Sequence, residues 1–470
     1  MFGSTLWLTL ATLAGLVLGF AREWLLVHAW GAGLISDAFL VALFLPEAVR
    51  TALAAGLLSN AALPLYQQRL GADRARWLEA LTPSLLLLGA GLALLLTLGA
   101  GAWTGVVGAG LSEAGGELAA EALKILAWCL PGLLLHGLFG VAALTRERYL
   151  LTGCGSLLFN LPPVACLLLR GSAVSVEELA WSCVAGSLLM PLSLLPTVWR
   201  EGWRPWRWPD PGVVGRELAG RLGPLLASAL ASNGLALLER MVASWLGEGV
   251  VTWVNLARKL INLPLVALMS LNQILMALMS GRVWDARLAL LRVGLQCAVL
   301  LTVPAMVGIV TTAPALVALL LPAQTGSERL ALLLVWFSAP LAVGAWNAML
   351  ARYAYAGGDT RLPLRCELAG NLVNALALLV LPSVLGTAGI AVAALFGLLT
   401  TTACLLRRLE LFGEVAWRDQ GLLAFCSFCM SLLLGNWWRA LPSLPLLALG
   451  TLAGTVLLGA LAWRWKPWRA

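Results

Sequence analysis

The stretch GFAREWLLVHAWGAGLISDAFLVALFLPEAVR, residues 19–50, sets charged side chains inside a long apolar run. It places Arg22, Asp37 and Arg50 within segments that are otherwise hydrophobic enough to span a bilayer. A charge at the bilayer centre costs about 2.5–3.5 kcal/mol, so such residues usually face a partner or a water-filled cavity. Arg258 and Lys259 repeat the pattern in the second half of the chain. The sequence thus indicates a membrane protein with a cationic interior, which suits an anionic cargo.

Composition agrees with a membrane location. The 470 residues are 60% hydrophobic and only 11% charged, and the mean hydropathy is +0.89. Soluble globular proteins carry about 25% charged residues. We therefore predict an all-α integral membrane protein. The net charge of +8 does not require nucleic acid as a partner, because basic residues of such proteins collect in cytoplasmic loops.

The apolar segments number fourteen, which predicts about fourteen transmembrane helices. They lie near residues 5–28, 34–65, 81–107, 120–145, 152–170, 177–199, 222–246, 250–280, 287–313, 328–355, 363–383, 385–406, 420–438 and 442–463. Loops after even-numbered segments carry most of the arginines, whereas the other loops are short or acidic. Exceptions are Arg170, Arg329 and Arg439. By the positive-inside rule, this alternation predicts a multi-pass protein with both termini in the cytoplasm.

The two halves of the chain resemble each other. WGAGLISDAFLVALFLP, residues 30–46, parallels LGEGVVTWVNLARKLINLP, residues 246–264. We predict an N-terminal lobe over 1–199, a linker over 200–221, a C-terminal lobe over 222–410 and two further helices over 411–470. The Trp- and Arg-rich linker suits either the anionic surface of a leaflet or a solvated connection between bundles. Paired bundles of this kind are a common plan of secondary transporters.

The charged residues leave two interpretations open. In the first, the charges pair internally and hold helices together, as Glu23 with Arg22 or Glu239 with Arg240. In the second, the arginines bind cargo, because guanidinium forks match phosphate oxygens bidentately. The residues alone therefore predict a transporter for a phosphorylated amphiphile or for another organic anion.

Several motifs resemble one known family. They are LGFARE (18–23), GAGLISDAFLVALFLPEAVR (31–50), GLLSNAALP (56–64), RERYLLTGCGSLLFN (146–160), LARKLINLP (256–264) and GDTRLPLR (358–365). Their order and spacing are similar to those of the MurJ (MviN) family of lipid II flippases, within the multidrug/oligosaccharidyl-lipid/polysaccharide exporter (MOP) superfamily. The resemblance covers about residues 10–410.

This resemblance implies two pseudo-symmetric six-helix lobes around a cavity, with two C-terminal helices that carry a hydrophobic groove for the polyprenyl tail. The substrate-binding residues it implies are Arg22, Arg50, Arg258 and Asp37, with Lys259 as a compensating cation. The arginines would bind the pyrophosphate of the lipid. Two departures from the family are Leu16, where an arginine is usual, and Ala55, where an acidic residue is usual.

The resemblance also implies a sodium site in some members. Glu239 and Asn374 match two of its ligands, and Thr401 supplies a further oxygen. We expect no required cofactor, with Na⁺ or H⁺ as the coupling ion. The expected partners are lipid II or a related undecaprenyl-pyrophosphate lipid and the phospholipid bilayer, without nucleic acid, and the protein is expected to be a monomer. The expected location is the bacterial cytoplasmic (inner) membrane.

The implied mechanism is alternating access, and the protein is expected not to be an enzyme. Alternatives are an exporter of another polyprenyl-pyrophosphate-linked glycan or of small amphiphiles, and a transport-inactive scaffold. A polytopic glycosyltransferase or phosphatase would need acidic or His-rich loops at the membrane surface, which the short outer loops lack.

Overall fold

The structure, a computed structural model, describes most of the chain. The described residues are 2–54, 57–146, 148–207, 209–210, 212–262, 275, 278–279, 284–321, 326–359 and 361–465. All regular secondary structure among them is helical. The prediction of an all-α protein is therefore confirmed.

Helices α1 to α9 occupy the first third of the chain. They are α1 (Phe2–Trp30), α2 (Leu34–Ala54), α3 (Leu57–Gln67), α4 (Ala72–Leu98), α5 (Ala100–Val107), α6 (Glu113–Leu126), α7 (Cys129–Thr145), α8 (Tyr149–Gly153) and α9 (Gly155–Arg170). The remainder are α10 (Val176–Arg200), α11 (Gly212–Trp245), α12 (Val250–Asn262), α13 (Trp284–Leu320), α14 (Ser327–Ala356), α15 (Arg361–Leu385), α16 (Ala388–Arg408), α17 (Trp417–Trp437) and α18 (Ser443–Trp465).

Each predicted apolar segment overlaps one helix or two consecutive ones. Ten helices of the described part are long and apolar enough to cross a membrane, and an eleventh span results if α6 and α7 are joined across their 41° bend. The chain is thus a multi-pass membrane protein, while the count of fourteen stays a prediction. The segment 81–107 divides at Gly99, where the backbone leaves the helical conformation between α4 and α5.

Local sequence explains where several helices begin. Ser175 and Glu178 form a capping box at the start of α10, in which each side chain accepts a hydrogen bond from the other residue's backbone N–H. Gly171 ends α9 with a φ of 56°, a left-handed conformation that glycine adopts without steric cost. The apolar runs set the helices, and these polar or flexible residues set their ends.

The predicted linker is partly packed and partly helical. Trp203 is buried and donates from Nε1 to Thr82 Oγ1 at 3.1 Å. The backbone N–H of Arg204 donates to Glu79 Oε1 at 3.0 Å, and both acceptors lie on α4. Helix α11 then begins at Gly212, inside the predicted linker range of 200–221. Two hydrogen bonds, one from the Trp203 side chain and one from the Arg204 backbone, therefore hold this connection against α4.

The chain divides into two compact units, residues 1–252 and 253–470. In the first unit, α10 packs on α7 and α9, α1 packs on α9, and α2 packs on α6. Two apolar clusters form its core; Phe39 and Phe159 belong to one, and Trp77 and Phe139 belong to the other. Helix α1 therefore lies against α9, and it also contacts α2.

In the second unit, α13 packs on α14, α17 and α18, and α15 packs on α16. The α15–α16 contact is unusually close, because a Cβ atom on Gly397 would lie 2.6 Å from the Cβ of Asn374. Small residues of this kind let membrane helices approach each other without a hydrophobic driving force. The boundaries of the predicted lobes and C-terminal helices remain predictions.

Candidate functional site

One network of buried charges joins α1, α2 and α9 in the first unit. Arg22 on α1 is fully buried, and its Nη2 donates to Glu23 Oε1 at 2.9 Å and to Glu47 Oε2 at 3.2 Å. Its Nη1 donates to Asn160 Oδ1 at 2.9 Å. The planar guanidinium is therefore held on two sides, which fixes its orientation.

Arg50 on α2 joins the same network through Glu47. Its Nη2 donates to Glu47 Oε1 at 3.3 Å, and its Nη1 donates to Ser156 Oγ at 3.0 Å. The guanidinium carbon lies 5.2 Å from the centre of the Phe159 ring, which is within cation–π range. One carboxylate is thus shared by two guanidinium groups. The network thus places two carboxylates, those of Glu23 and Glu47, against the guanidinium groups of Arg22 and Arg50.

Close packing of α1 on α9 positions the polar partners. A Cβ atom on Gly15 would lie 2.8 Å from the Cβ of Ser156, and one on Gly19 would lie 3.5 Å from Asn160 Nδ2. Asn160 also donates from Nδ2 to the carbonyl oxygen of Ser156 at 2.8 Å, which orients its Oδ1 acceptor. The glycines of α1 therefore allow α9 to bring its polar side chains to the arginines.

The sequence indicates the arginines of this network but not three of their partners. These are Glu47, Ser156 and Asn160. Glu47 had a signal in the sequence, because it precedes Arg50 by three residues and such pairs share one face of a helix. The residues of α9 gave no such signal, since only packing brings them to α1. The structure contains the Arg22–Glu23 ion pair that the sequence left open.

Asp37 lies apart from the arginine network and is fully buried. Its Oδ2 accepts from the N–H of Gly249 at 2.7 Å, and its Oδ1 accepts from the N–H of Thr252 at 2.8 Å. Thr252 Oγ1 lies 2.6 Å from the same Oδ1. The first turn of a helix has N–H groups without an intrahelical acceptor, and a carboxylate there is favoured by the helix dipole. In this structure both carboxylate oxygens of Asp37 therefore accept hydrogen bonds at the start of α12.

The remaining predicted cations lie on α12. Arg258 and Lys259 are half-buried and belong to the second unit, whereas Arg22 and Arg50 belong to the first. The guanidinium carbon of Arg258 lies 4.8 Å from the centre of the Phe337 ring on α14. This contact keeps the arginine against an aromatic face.

The predicted sodium ligands are divided between the units. Glu239 lies on α11 in the first unit, and Asn374 and Thr401 lie on α15 and α16 in the second. Among the described residues, the buried Oδ1 of Asn374 has no hydrogen-bond partner. Thr401 Oγ1 donates to the carbonyl oxygen of Gly397 at 3.1 Å. The second unit thus supplies an unsatisfied amide oxygen and a hydroxyl oxygen, and both are atoms that an oxygen-preferring cation can bind.

An apolar groove lies within the second unit, between α13, α14, α16 and α17. Its volume is about 770 Å³. Large side chains line it, among them Trp336, Trp346, Phe425 and Phe428, with Arg418 the one charged lining residue that the structure describes. The resemblance implied a groove on both C-terminal helices. Of its described lining residues, several belong to α17 and none to α18, which instead packs on α13.

Comparison with solved structures defines the class of the fold. A structure titled "Lipid II flippase MurJ, inward closed conformation" superposes with a TM-score of 0.85 at 17% identity, covering 98% of this chain and 99% of that one. An inward-facing multidrug resistance MATE family transporter of the MOP superfamily superposes with a TM-score of 0.69 at 15% identity, covering 86% and 95%. The chain is therefore a multi-pass membrane protein with the fold of MOP superfamily transporters.

Sequence comparison defines the family. A profile described as "Lipid II flippase MurJ" matches residues 26–455, so the chain belongs to the MurJ family. The lipid II flippase MurJ of Burkholderia cenocepacia is 27% identical over 402 residues, which cover 81% of this chain and 78% of that protein. The probable lipid II flippase MurJ of Vibrio cholerae is 26% identical over 429 residues, covering 86% and 81%. The resemblance seen in the motifs is thus confirmed.

Proposed function

We propose that this protein is a lipid II flippase, which moves the lipid-linked peptidoglycan precursor from the inner to the outer leaflet of the bacterial cytoplasmic membrane. The observation that carries this proposal is the family match over residues 26–455. The names of the curated relatives from Burkholderia cenocepacia and Vibrio cholerae support the same activity.

The arginine network supports an anionic cargo. Arg22 and Arg50 already hold one anionic group between them, the carboxylate of Glu47, at 3.2 and 3.3 Å. The pyrophosphate of lipid II presents several oxygens of the same kind, and guanidinium groups bind such oxygens bidentately. We assign pyrophosphate binding to Arg22 and Arg50, and we extend it to Arg258 and Lys259 on the strength of the motif resemblance, with Asp37 as a further residue of the proposed substrate site.

The apolar groove supports a lipid tail. An undecaprenyl chain is a linear run of isoprene units without polar atoms, and aromatic and aliphatic side chains bury such chains favourably. Trp346 and Phe428 supply flat apolar surfaces there. We assign the tail to this groove and the charged headgroup to the polar residues.

The proposed mechanism is alternating access without covalent chemistry on the cargo, so the protein acts as a transporter and not as an enzyme. The headgroup site would open to one side of the membrane at a time. Moving one charge through 100 mV is worth about 2.3 kcal/mol, which is enough to bias a conformational equilibrium. We propose Na⁺ or H⁺ as the coupling ion, with Glu239, Asn374 and Thr401 as the sodium ligands, and both termini in the cytoplasm.

A second cargo has one specific observation in its favour. The positions of two polar family residues hold Leu16 and Ala55, so part of the usual headgroup contact is missing. A different glycan on the same polyprenyl pyrophosphate would keep the diphosphate contact with Arg22 and Arg50. The two cargos share their pyrophosphate chemistry and differ only in the sugar and peptide.

The test is complementation of a bacterium depleted of its own lipid II flippase. The parent chain is expected to restore growth, and Arg50→Ala is expected to reduce rescue strongly, because it removes one of two guanidinium groups at the diphosphate. Arg170→Ala is the matched control: Arg170 is 55% exposed and pairs with Glu178 outside the network. Membrane levels of each variant are measured by immunoblotting.

The outcomes separate the two cargos. Rescue by the parent and by Arg170→Ala, without rescue by a well-expressed Arg50→Ala, supports lipid II flipping through the arginine network. A parent that inserts normally but gives no rescue contradicts lipid II as cargo. The other polyprenyl-pyrophosphate glycan is then tested in strains that lack its flippase.

A further inference from the structure

Glu47 makes the loosest contacts of the buried network. The Arg22–Glu23 contact is 2.9 Å, within the 2.7–2.9 Å expected of a charge-assisted hydrogen bond. The contacts of Glu47 with Arg22 and Arg50 are 3.2 and 3.3 Å. Both contacts of the Glu47 carboxylate are therefore longer than the range expected of a charge-assisted hydrogen bond.

Glu47 is also the most accessible of the four charged side chains. Its exposed fraction is 22%, against 13% for Arg50, 2% for Glu23 and none for Arg22. A ligand that approaches the network therefore meets Glu47 and Arg50 before the other two. Glu23 stays behind as the permanent counter-ion of Arg22.

Each of the two arginines that share the Glu47 carboxylate has a hydrogen-bond donor without an acceptor. The Nε atoms of Arg22 and Arg50 are buried and have no hydrogen-bond partner among the described residues. A buried donor without an acceptor costs free energy until an acceptor arrives. A ligand with more oxygen atoms than one carboxylate would satisfy donors that Glu47 does not reach.

We infer that Glu47 is an internal competitor for the anionic headgroup and sets a charge threshold for binding at Arg22 and Arg50. This inference rests on the proposed function, because it concerns the same arginines. A ligand with one negative charge exchanges like for like with the Glu47 carboxylate and gains no Coulomb energy, while it loses translational freedom. A diphosphate brings an additional charge and additional acceptor oxygens, so it displaces the carboxylate, and the Glu47 side chain, which is already 22% exposed, turns away from the arginines.

Glu47 would thus determine specificity for diphosphate over monophosphate lipids. Phospholipids with a single phosphate are in large excess in any bilayer, and a site with two unopposed arginines would bind them. The Glu47 carboxylate excludes them without any steric barrier. The Glu47 carboxylate also pairs with the positive charges of Arg22 and Arg50 while no cargo is bound.

The experiment measures binding of two defined probes, farnesyl diphosphate and the monophosphate diester farnesyl methyl phosphate, which carries one negative charge, to the purified full chain in detergent by calorimetry. The parent is expected to prefer the diphosphate. Glu47→Gln keeps the size of the side chain and removes its charge, so it is expected to bind the monophosphate about tenfold more tightly and to lower the diphosphate preference. Glu47→Asp keeps the charge and is expected to retain the preference.

Two controls make the result specific. Glu121→Gln changes the net charge by the same amount at a 68% exposed residue that pairs with Lys124, and it is expected to leave both affinities unchanged. Thermal unfolding in detergent confirms that each variant is folded. Arg50→Ala is expected to weaken binding of both probes.

Each outcome decides between the two proposals. Diphosphate binding that Arg50→Ala abolishes, with an unchanged preference in Glu47→Gln, overturns the competitor role and leaves the arginine site intact. An equal gain in Glu121→Gln also overturns it, because net charge alone would then explain the effect. If neither the parent nor Glu47→Gln binds the diphosphate, both the competitor role and pyrophosphate binding by these arginines are contradicted.

Discussion

The contact between Asp37 and the start of α12 gives a quantitative prediction. Replacement of Asp37 by Asn keeps the size of the side chain but turns one carboxylate oxygen into an NH₂ group. Both oxygens accept from backbone N–H groups, those of Gly249 and Thr252, at 2.7 and 2.8 Å. In the variant one of these N–H groups therefore faces another donor and loses its acceptor.

The expected magnitude follows from the hydrogen bond that is lost. A hydrogen bond to a charged group contributes about 1.5–3 kcal/mol net. The site is fully buried, so no water replaces the missing acceptor. This free energy corresponds to a change of about 10- to 150-fold in the equilibrium between the closed and the locally open helix start. The backbone at Gly249 is itself constrained, because its φ of 81° favours glycine and an added Cβ would lie 2.8 Å from the carbonyl oxygen of Ala32.

Amide hydrogen exchange followed by mass spectrometry measures this equilibrium directly. Peptides that contain residues 249–252 are expected to exchange about 10- to 150-fold faster in Asp37→Asn, while peptides of α4 are unaffected. Asp73→Asn is the matched control, because Asp73 is 70% exposed and its contact with Arg76 is 3.9 Å. Unchanged protection of residues 249–252, or an equal loss in the control, would refute the assignment of Asp37 as their acceptor.

Two further predictions concern glycines. Gly421 lines the apolar groove, and a Cβ there meets open space. Gly421→Leu is therefore expected to fill the groove and to reduce photo-cross-linking by a benzophenone-bearing polyprenyl probe. Gly459→Leu on α18, where a Cβ also meets open space, is expected to leave the labelling intact. Gly15→Val is expected to destabilise the protein by about 1–3 kcal/mol, because its side chain would overlap Ser156, whereas Gly91→Val has room. Thermal unfolding in detergent checks the second prediction, and a groove probe that still labels Gly421→Leu contradicts the first.

The helices were predictable because the membrane leaves the backbone few choices. A chain segment in lipid must satisfy its own N–H and C=O groups, so an apolar run of sufficient length becomes a helix. The bends were less predictable. The break between α6 and α7, a bend of 41°, lies just before Pro131, and proline removes a backbone donor and favours such breaks. In the segment 120–145, Pro131 indicated an interruption but not the angle of the bend.

The candidate site was predictable in part. The sequence identified Arg22 and Arg50, because a charge in an apolar run requires a physical reason. It did not identify Asn160 as a partner, since 138 residues separate it from Arg22 along the chain. It also left open whether the charges pair internally, and in the folded first unit Glu23 and Glu47 pair with these arginines.

The sequence by itself determined that this protein is a helical membrane protein, which residues carry its buried charges and to which family it belongs. These follow from composition, from the length of apolar runs and from motifs, all of which are local. Only the tertiary structure decided which charges are neutralised. Ion pairing depends on how α1 and α2 are rotated towards each other, and packing against α9 at Gly15 sets the position of α1. A pattern along one helix does not contain that rotation, because it results from contacts between residues that are distant in the chain.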